Sequence, residues 1–196
     1  MTAVKLRQIV ADVDPAGLDG PLRQERQELL EWLQIRSSRG EVGDSCRVGG
    51  FEVRAGDWML MRNPSPYNQF TDLSPGLFTH VGIVATEVGV DGIRRFVIVD
   101  LPERGDTIPA NNVDQYLSRT LHYVFLRHQD TSVGRKMGEV ALSVVGNETE
   151  FDLTFQTRRV LKLKGQPLKG KRINTYCAGL LVLCAQETSD ELDHFF

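Results

Sequence analysis

The segment that most constrains this chain is residues 174–187, NTYCAGLLVLCAQE, in which apolar residues recur at helical spacing. Asn174 or Thr175 is predicted to cap this helix by accepting hydrogen bonds from first-turn amides. Cys177 then falls in the first turn, where unpaired amides and the positive end of the helix dipole favour a thiolate, the nucleophilic form of cysteine. Cys184 is expected two turns further along the same face.

Two interpretations of this helix are open. Free cysteine is among the most buried residue types, so Cys177 and Cys184 can both be small core residues. Alternatively, Cys177 is a nucleophile, which needs an imidazole to take its proton and a third group to orient the imidazole. The rest of the chain must therefore supply a histidine and an orienting side chain.

A predicted antiparallel hairpin carries both groups. Residues 79–85 form a β-branched strand with His80 at its start, and residues 95–100 form the return strand with Asp100 at its end. If the connecting loop holds an odd number of residues, the two side chains lie opposite one another on the same face; an even number would separate them. Taken alone, such a histidine is commonly structural and such an aspartate commonly belongs to a turn.

Gly82 lies on the same face of the strand as His80, and it has no side chain. The missing side chain leaves room for another backbone to come close. We expect the start of the helix that bears Cys177 to occupy this space.

Composition narrows the class of protein. The 196 residues suffice for one domain, which we divide into an N-terminal helical extension and loop, 1–50, and a catalytic domain, 51–196. The net charge of −3 argues against a nucleic-acid partner. Three cysteines give neither a disulfide framework nor a zinc pattern, so no metal is expected.

The N-terminal residues lack the apolar core of a signal peptide, and no run approaches the length of a membrane span. A cytoplasmic protein without an integral membrane segment is therefore predicted.

The remaining elements follow from periodicity and turn residues. The first half of the chain is predicted to contain a helix from Pro21, a loop at 37–50 with an exposed thiol at Cys46, strand, turn and strand at 51–61, and a long loop at 63–76. The second half is predicted to contain a short helix at 113–119, a strand at 121–126, a helix at 131–145, and a basic strand and loop at 158–172. The basic run is interpreted as solvated, with binding of a carboxylate-bearing substrate as the alternative. No role is assigned to His122, His128 or His194.

Five short motifs, in this order, resemble the YiiX-like proteins, a circularly permuted branch of the NlpC-type papain-like cysteine hydrolases. They are Gly56-Asp57 before an apolar strand, residues 79–84, a strand ending at Asp100 with Pro102 and Gly105 after it, residues 151–155, and Tyr176-Cys177 at the start of an apolar helix. The resemblance covers about Phe51 to Glu187.

The resemblance implies an α+β, permuted papain-like fold, with a small antiparallel sheet or barrel packed against the nucleophile helix. By position, Cys177 matches the nucleophile, His80 the base and Asp100 the orienting acid, where many relatives have Glu. The residues that precede the nucleophile and the base, Tyr176 and Thr79, are assigned to substrate binding; the Tyr176 hydroxyl could also help to hold the oxyanion, or its ring could simply pack.

The chain also departs from the family pattern. A Ser or Thr and then a Glu often follow the cysteine, where this chain has Ala178 and Gly179. An apolar residue often follows the glycine after the acid, where this chain has Asp106. These departures leave the triad intact and bear on the substrate and on the surrounding hydrogen bonds.

The function expected from these residues is a thiol hydrolase, an amidase or peptidase that cleaves an amide or peptide bond, for example in cell-wall-type peptides, through a thioester. A lipid acyltransferase or thioesterase on the same triad is one alternative, and a non-catalytic binding module that keeps the fold is another. The substrate would be a small peptide, amide or lipid-like molecule, and the chemistry needs no cofactor. The oligomeric state is left open.

Overall fold

The computed structural model describes residues 3–37, 39–42, 45–62, 77–90, 94–102, 105–120 and 122–188. The loop predicted at 63–76 and His194 lie outside these residues.

The described residues form six α-helices and ten β-strands. The α-helices are α1 (Ala3–Ala11), α2 (Gly20–Ser37), α3 (Val113–Leu117), α4 (Thr131–Ser143), α5 (Thr157–Leu161) and α6 (Cys177–Gln186), and a 3-10 turn spans Pro15–Gly17. The strands are β1 (Arg39–Val42), β2 (Ser45–Val48), β3 (Phe51–Arg54), β4 (Trp58–Met61), β5 (His80–Val88), β6 (Arg94–Asp100), β7 (Ala110–Asn112), β8 (Tyr123–Leu126), β9 (Thr149–Phe151) and β10 (Ile173–Thr175).

A five-stranded antiparallel sheet in the order β7-β6-β5-β4-β8 is the centre of the fold. Its two longest strands, β5 and β6, are the β-branched runs of the predicted hairpin. A three-stranded antiparallel sheet, β1-β2-β3, and a parallel pair, β9-β10, accompany it. The predicted α+β class and small antiparallel sheet are confirmed; over the described residues the sheet is open and does not close into a barrel.

The two faces of this sheet belong to two hydrophobic cores, because side chains alternate along each strand. Val81, Ile83 and Ala85 face the helix-side core, where they pack with Leu180, Leu183 and other residues of α4 and α6. Val84 and Ile98 face the Tyr116-side core, which also holds Met59, Met61 and Tyr123. His80 and Asp100 have the same strand parity as Val84 and Ile98, so both lie on the Tyr116 side.

The Gly56-Asp57 motif has a structural role at the turn between β3 and β4. Gly56 has φ +88°, and a Cβ there would lie 1.8 Å from the Gly134 carbonyl oxygen, so α4 packs directly on the turn. Buried Asp57 accepts 2.8 Å hydrogen bonds from Nε and Nη2 of Arg127. The turn is thereby fixed to both α4 and the end of β8.

Several predicted elements are confirmed and three are wrong. The strands at 51–61, the short helix at 113, the strand near 123 and the helix at 131 are present. The predicted loop at 37–50 is wrong, because β2 pairs with β3. Cys46 in β2 is 8% exposed and packs in the Tyr116-side core, so an exposed thiol is wrong as well. The predicted basic strand is instead the helix α5, with Val160 buried.

The pairing of β2 with β3 crosses the domain boundary placed between residues 50 and 51, and that boundary stays a prediction. Among the helices of the described residues, none combines the length and the apolar character needed to cross a bilayer.

Candidate active site

Cys177 is the first residue of α6, as the sequence predicts. The predicted cap is wrong, because the residue before the helix is Tyr176 in extended conformation, and no side chain caps the first turn. Asn174 and Thr175 belong to β10 instead. The first amides of a helix have no partner inside it, so this uncapped end leaves its donors beside the Cys177 sulfur.

A steric contact favours glycine at position 179, two residues after Cys177. A Cβ at this position would lie 2.0 Å from Thr175 Oγ1 and 3.3 Å from the Tyr176 ring. Thr175 is buried, and its hydroxyl oxygen has no hydrogen-bond partner. The Thr175 hydroxyl therefore occupies the space that a larger side chain at position 179 would need.

The hairpin brings His80 and Asp100 together. Val88 and Arg94 form the last pair of the hairpin, with five residues between them. The loop therefore holds an odd number of residues, and the side chains of His80 and Asp100 share a face. Gly82 is the direct partner of Asp100, which places His80 diagonally across from the carboxylate rather than opposite it. The His80 Nε2 atom lies 2.7 Å from Asp100 Oδ2, and the side chains are 9% and 6% exposed.

Cys177 makes the second contact of the imidazole. Burial lowers the pKa of His80, but hydrogen bonds with Asp100 and Cys177, and the charges of these groups, outweigh burial and raise that pKa to about 9. Because Nε2 is engaged with Asp100, Nδ1 is the ring nitrogen left to face the sulfur. The imidazole is therefore protonated at neutral pH and joins a carboxylate to a thiol.

The space at Gly82 is not where Cys177 lies, so that expectation is wrong. A Cβ at Gly82 would meet Ile98 Cγ2 at 2.7 Å and Asp100 Cβ at 3.2 Å. The missing side chain therefore makes room for Asp100. Helix α6 packs on the opposite face of the sheet, and Cys177 contacts the imidazole from that layer because His80 is the first residue of β5.

Two polar residues of the site were not predicted from the sequence. The Tyr116 hydroxyl donates to Asp100 Oδ2 at 2.5 Å, and Asn111 Nδ2 donates to Oδ1 at 3.4 Å. Tyr116 is fully buried, and its ring stacks on that of His80 with centroids 6.5 Å apart. Burial, and then the charge of Asp100, raise the pKa of Tyr116 well above its ordinary value, so its hydroxyl keeps its proton.

Cys184 differs from Cys177 in the way that its deeper position predicts. It is fully buried in the helix-side core. Burial, with a smaller contribution from Glu187, raises the pKa of the Cys184 thiol to about 12. Cys177 is only partly buried, so the two thiols differ in access as well as in surroundings.

The two residues assigned to substrate binding flank the triad. The Tyr176 hydroxyl lies 2.8 Å from Thr157 Oγ1, and its ring packs against Phe155 with centroids 5.3 Å apart. The half-buried Thr79 donates its amide to the Met61 carbonyl at 3.0 Å. Their contact with substrate stays a prediction.

A separate cavity of about 680 Å³ lies at the other end of β5, lined by residues that include Arg54, Val88, Arg127 and Gly138. No member of the triad lines it. The three candidate residues therefore lie at the His80 end of the strand, away from this cavity.

In the described part of the chain, no three side chains of His, Cys, Asp or Glu are grouped so as to hold a metal ion. His122 and His128 are exposed and lie outside the triad. No family model matches the sequence, and the comparisons with curated proteins and with solved structures give no match. The family resemblance of the motifs therefore stays a prediction.

Proposed function

We propose that this protein is a thiol hydrolase, an amidase or peptidase with Cys177 as nucleophile, His80 as acid and base, and Asp100 as the orienting carboxylate. The observation that carries the proposal is one imidazole held between a buried carboxylate, 2.7 Å away, and a cysteine at the start of a helix. A structural histidine has no need of a thiol on one side and a carboxylate on the other.

In the proposed reaction, Cys177 attacks as a thiolate, and the imidazolium of His80 is the acid beside it. The Cys177 sulfur attacks the carbonyl carbon and the carbonyl electron pair moves to oxygen. The amide of Cys177 is the natural donor to this oxyanion, and one such donor contributes about 3 kcal/mol. Collapse of the adduct breaks the C–N bond as Nδ1 of His80 protonates the departing amine, which leaves a thioester on Cys177.

Water completes the cycle. Neutral His80 takes a proton from the water molecule, whose oxygen attacks the thioester carbonyl. The C–S bond breaks, the acid product leaves, and the thiolate and imidazolium are restored. Asp100 and Tyr116 hold the ring so that Nδ1 faces the sulfur throughout.

The permuted papain-like fold is part of the same proposal. In its support, the histidine strand precedes the cysteine helix in the chain, and an open antiparallel sheet packs against that helix. Peptides of the cell-wall type fit this class of hydrolase. Lipid-like esters are the second substrate group to test, since an acyl thioester is common to both reactions.

Alkylation with iodoacetamide near neutral pH tests the nucleophile. Mass spectrometry should locate the label on Cys177, at least tenfold faster than on Cys184, because Cys184 is buried and protonated. The variant His80→Ala should label Cys177 much more slowly than the wild type, whereas His128→Ala, which removes an exposed histidine outside the triad, should keep the wild-type rate. Slow and equal labelling of both thiols would instead indicate a non-catalytic binding module.

Substrate panels then test the reaction. Peptide amides and acyl esters should be cleaved by the wild type and not by Cys177→Ser, and an acyl adduct on Cys177 should be trapped at low pH. The rate should fall as the pH rises through about 9, because His80 then loses the proton that the leaving group needs.

A further inference from the structure

The turn that follows β9 has an unusual backbone beside the nucleophile. Phe155 has φ +52° and is the one residue other than glycine with a left-handed backbone among the described residues. Left-handed φ is costly for a bulky side chain, and such outliers concentrate at functional sites. Phe155 is 44% exposed. The burial of its ring is therefore too small to offset the free-energy cost of the left-handed backbone.

Asp152 holds the turn in place. Its Oδ1 accepts hydrogen bonds from the amide and the hydroxyl of Thr154, at 2.9 and 2.5 Å. Its own amide donates to the Thr175 carbonyl at 2.8 Å, which ties the turn to the strand leading into Cys177. Arg159 pairs with the Asp152 carboxylate at 3.2 Å and balances its charge.

Three aromatic rings continue from this turn to the nucleophile. Phe151 packs edge-on against Phe155, with centroids 6.2 Å apart, and Phe155 packs edge-on against Tyr176 at 5.3 Å. Tyr176 is bonded directly to Cys177, and its hydroxyl is held by Thr157. Leu153, 66% exposed, adds an aliphatic side chain to the same turn.

We propose that Phe155 and Tyr176 form an apolar substrate wall that binds an aromatic or aliphatic substituent of the amide attacked by Cys177. This inference rests on the proposed thiol hydrolase and names its substrate class. The rings of the wall are held by mutual packing and by the hydrogen bond between Tyr176 and Thr157, while Phe155 keeps part of its surface exposed. Phe155 determines specificity and takes no part in proton transfer.

Chloroacetamides that differ in one substituent test the wall through Cys177 itself. In each, the sulfur forms a bond to the methylene carbon and chloride leaves. The probes are 2-chloroacetamide, its N-benzyl derivative and its N-carboxymethyl derivative, with the second-order rate of Cys177 alkylation as readout. The wild type should prefer the benzyl probe over both others by about tenfold, the order expected for one aromatic contact.

Phe155→Ala should remove most of the benzyl preference, measured as the ratio of the benzyl rate to the rate with plain 2-chloroacetamide in the same protein. Phe155→Asn is the second variant, because asparagine tolerates left-handed backbone and so preserves the turn without the ring. The matched control is Phe51→Ala, another partly exposed phenylalanine, which lies in β3. It should keep the full preference.

The outcomes separate this inference from the proposed function. Fast alkylation of Cys177 that depends on His80, without benzyl preference or with a preference that survives in both Phe155 variants, overturns the wall alone. Slow alkylation by all three probes, unaffected by His80→Ala, overturns the hydrolase and the wall with it.

Discussion

Asp100 Oδ2 accepts two hydrogen bonds, one from the His80 ring and one from the Tyr116 hydroxyl. The tyrosine spreads the negative charge of the carboxylate and fixes the direction in which its oxygen points. The Tyr116 ring also stacks beside the imidazole. The guanidinium carbon of Arg119 lies 4.4 Å from the centre of the Tyr116 ring. Tyr116 is thus a positioning residue for the imidazole.

Removing this hydroxyl should weaken the site without breaking the triad. In Tyr116→Phe, we expect the loss of about 2 kcal/mol of stability, the usual value for a hydrogen bond to a charged group. The charge of Asp100 then acts more strongly on His80, so the pKa of His80 should rise. The fall in Cys177-dependent rate, expected near pH 9 in the wild type, should therefore move to higher pH.

Asn111→Ala provides the graded control, because its 3.4 Å hydrogen bond to Asp100 is longer and weaker. Its effect on the pH profile should be the smaller of the two. If the rate of Tyr116→Phe falls at the same alkaline pH as that of the wild type, the tyrosine has only a packing role.

The three triad residues were accessible to sequence reasoning because each lies at the end of a recognisable pattern. Cys177 opens an apolar helix, and His80 and Asp100 bound a β-branched hairpin. Tyr116 carried no comparable signal, since a tyrosine on the apolar face of a short helix resembles any core residue. Its contact with Asp100 depends on how α3 packs against β6, which local periodicity does not encode.

At the scale of elements, the junction between β10 and α6 sets the position of Cys177. Thr175 ends the strand, Tyr176 links it to the helix, and Gly179 lies over the threonine. The parallel pairing of β10 with β9 fixes this junction from the other side. A change in how the first helical turn packs would therefore displace Cys177 relative to His80.

Gly179→Ala should destabilise the protein by about 1–3 kcal/mol, since its Cβ would overlap Thr175 Oγ1 and the core must shift. Thr175→Ala should relieve the overlap, so the double variant should be more stable than the sum of the single effects predicts. Denaturant unfolding of the four proteins measures this coupling. Strictly additive effects would contradict the proposed contact.

The short elements explain most of what sequence reasoning missed. β2, β9 and β10 have three or four residues each, too few for a period to be visible. β9 and β10 pair across more than twenty residues, so neither strand is recognisable locally. The basic run concealed α5 because its charges alternate with apolar residues as in a strand, whereas the buried Val160 anchors a single helical turn.

On the scale of the whole molecule, the charge of His80 should make stability depend on pH. The folded-state pKa is about 9, above the ordinary value of 6.5, so the folded protein binds this proton more tightly than the unfolded chain. The resulting stabilisation is fully present below about pH 6.5 and is lost as the pH rises through 9. It amounts to at most about 3 kcal/mol.

A comparison of the wild type with His80→Gln isolates this contribution, because other titrating groups are common to both proteins. The free energy of unfolding should fall more in the wild type than in the variant between pH 6 and pH 9.5. Parallel pH profiles would mean that the imidazole gains no net stabilisation from Asp100 and Cys177.

Cys177 and His80 approach one another from opposite faces of the sheet, at the start of β5. Cys177 rests on the helix-side core, whereas His80 and Asp100 rest on the Tyr116-side core. Substitutions confined to the interior of one compartment can therefore alter the sulfur-to-nitrogen gap while leaving every polar partner in place. Reactivity in such a molecule can be tuned remotely, by the volumes of hydrocarbon side chains that never meet a substrate.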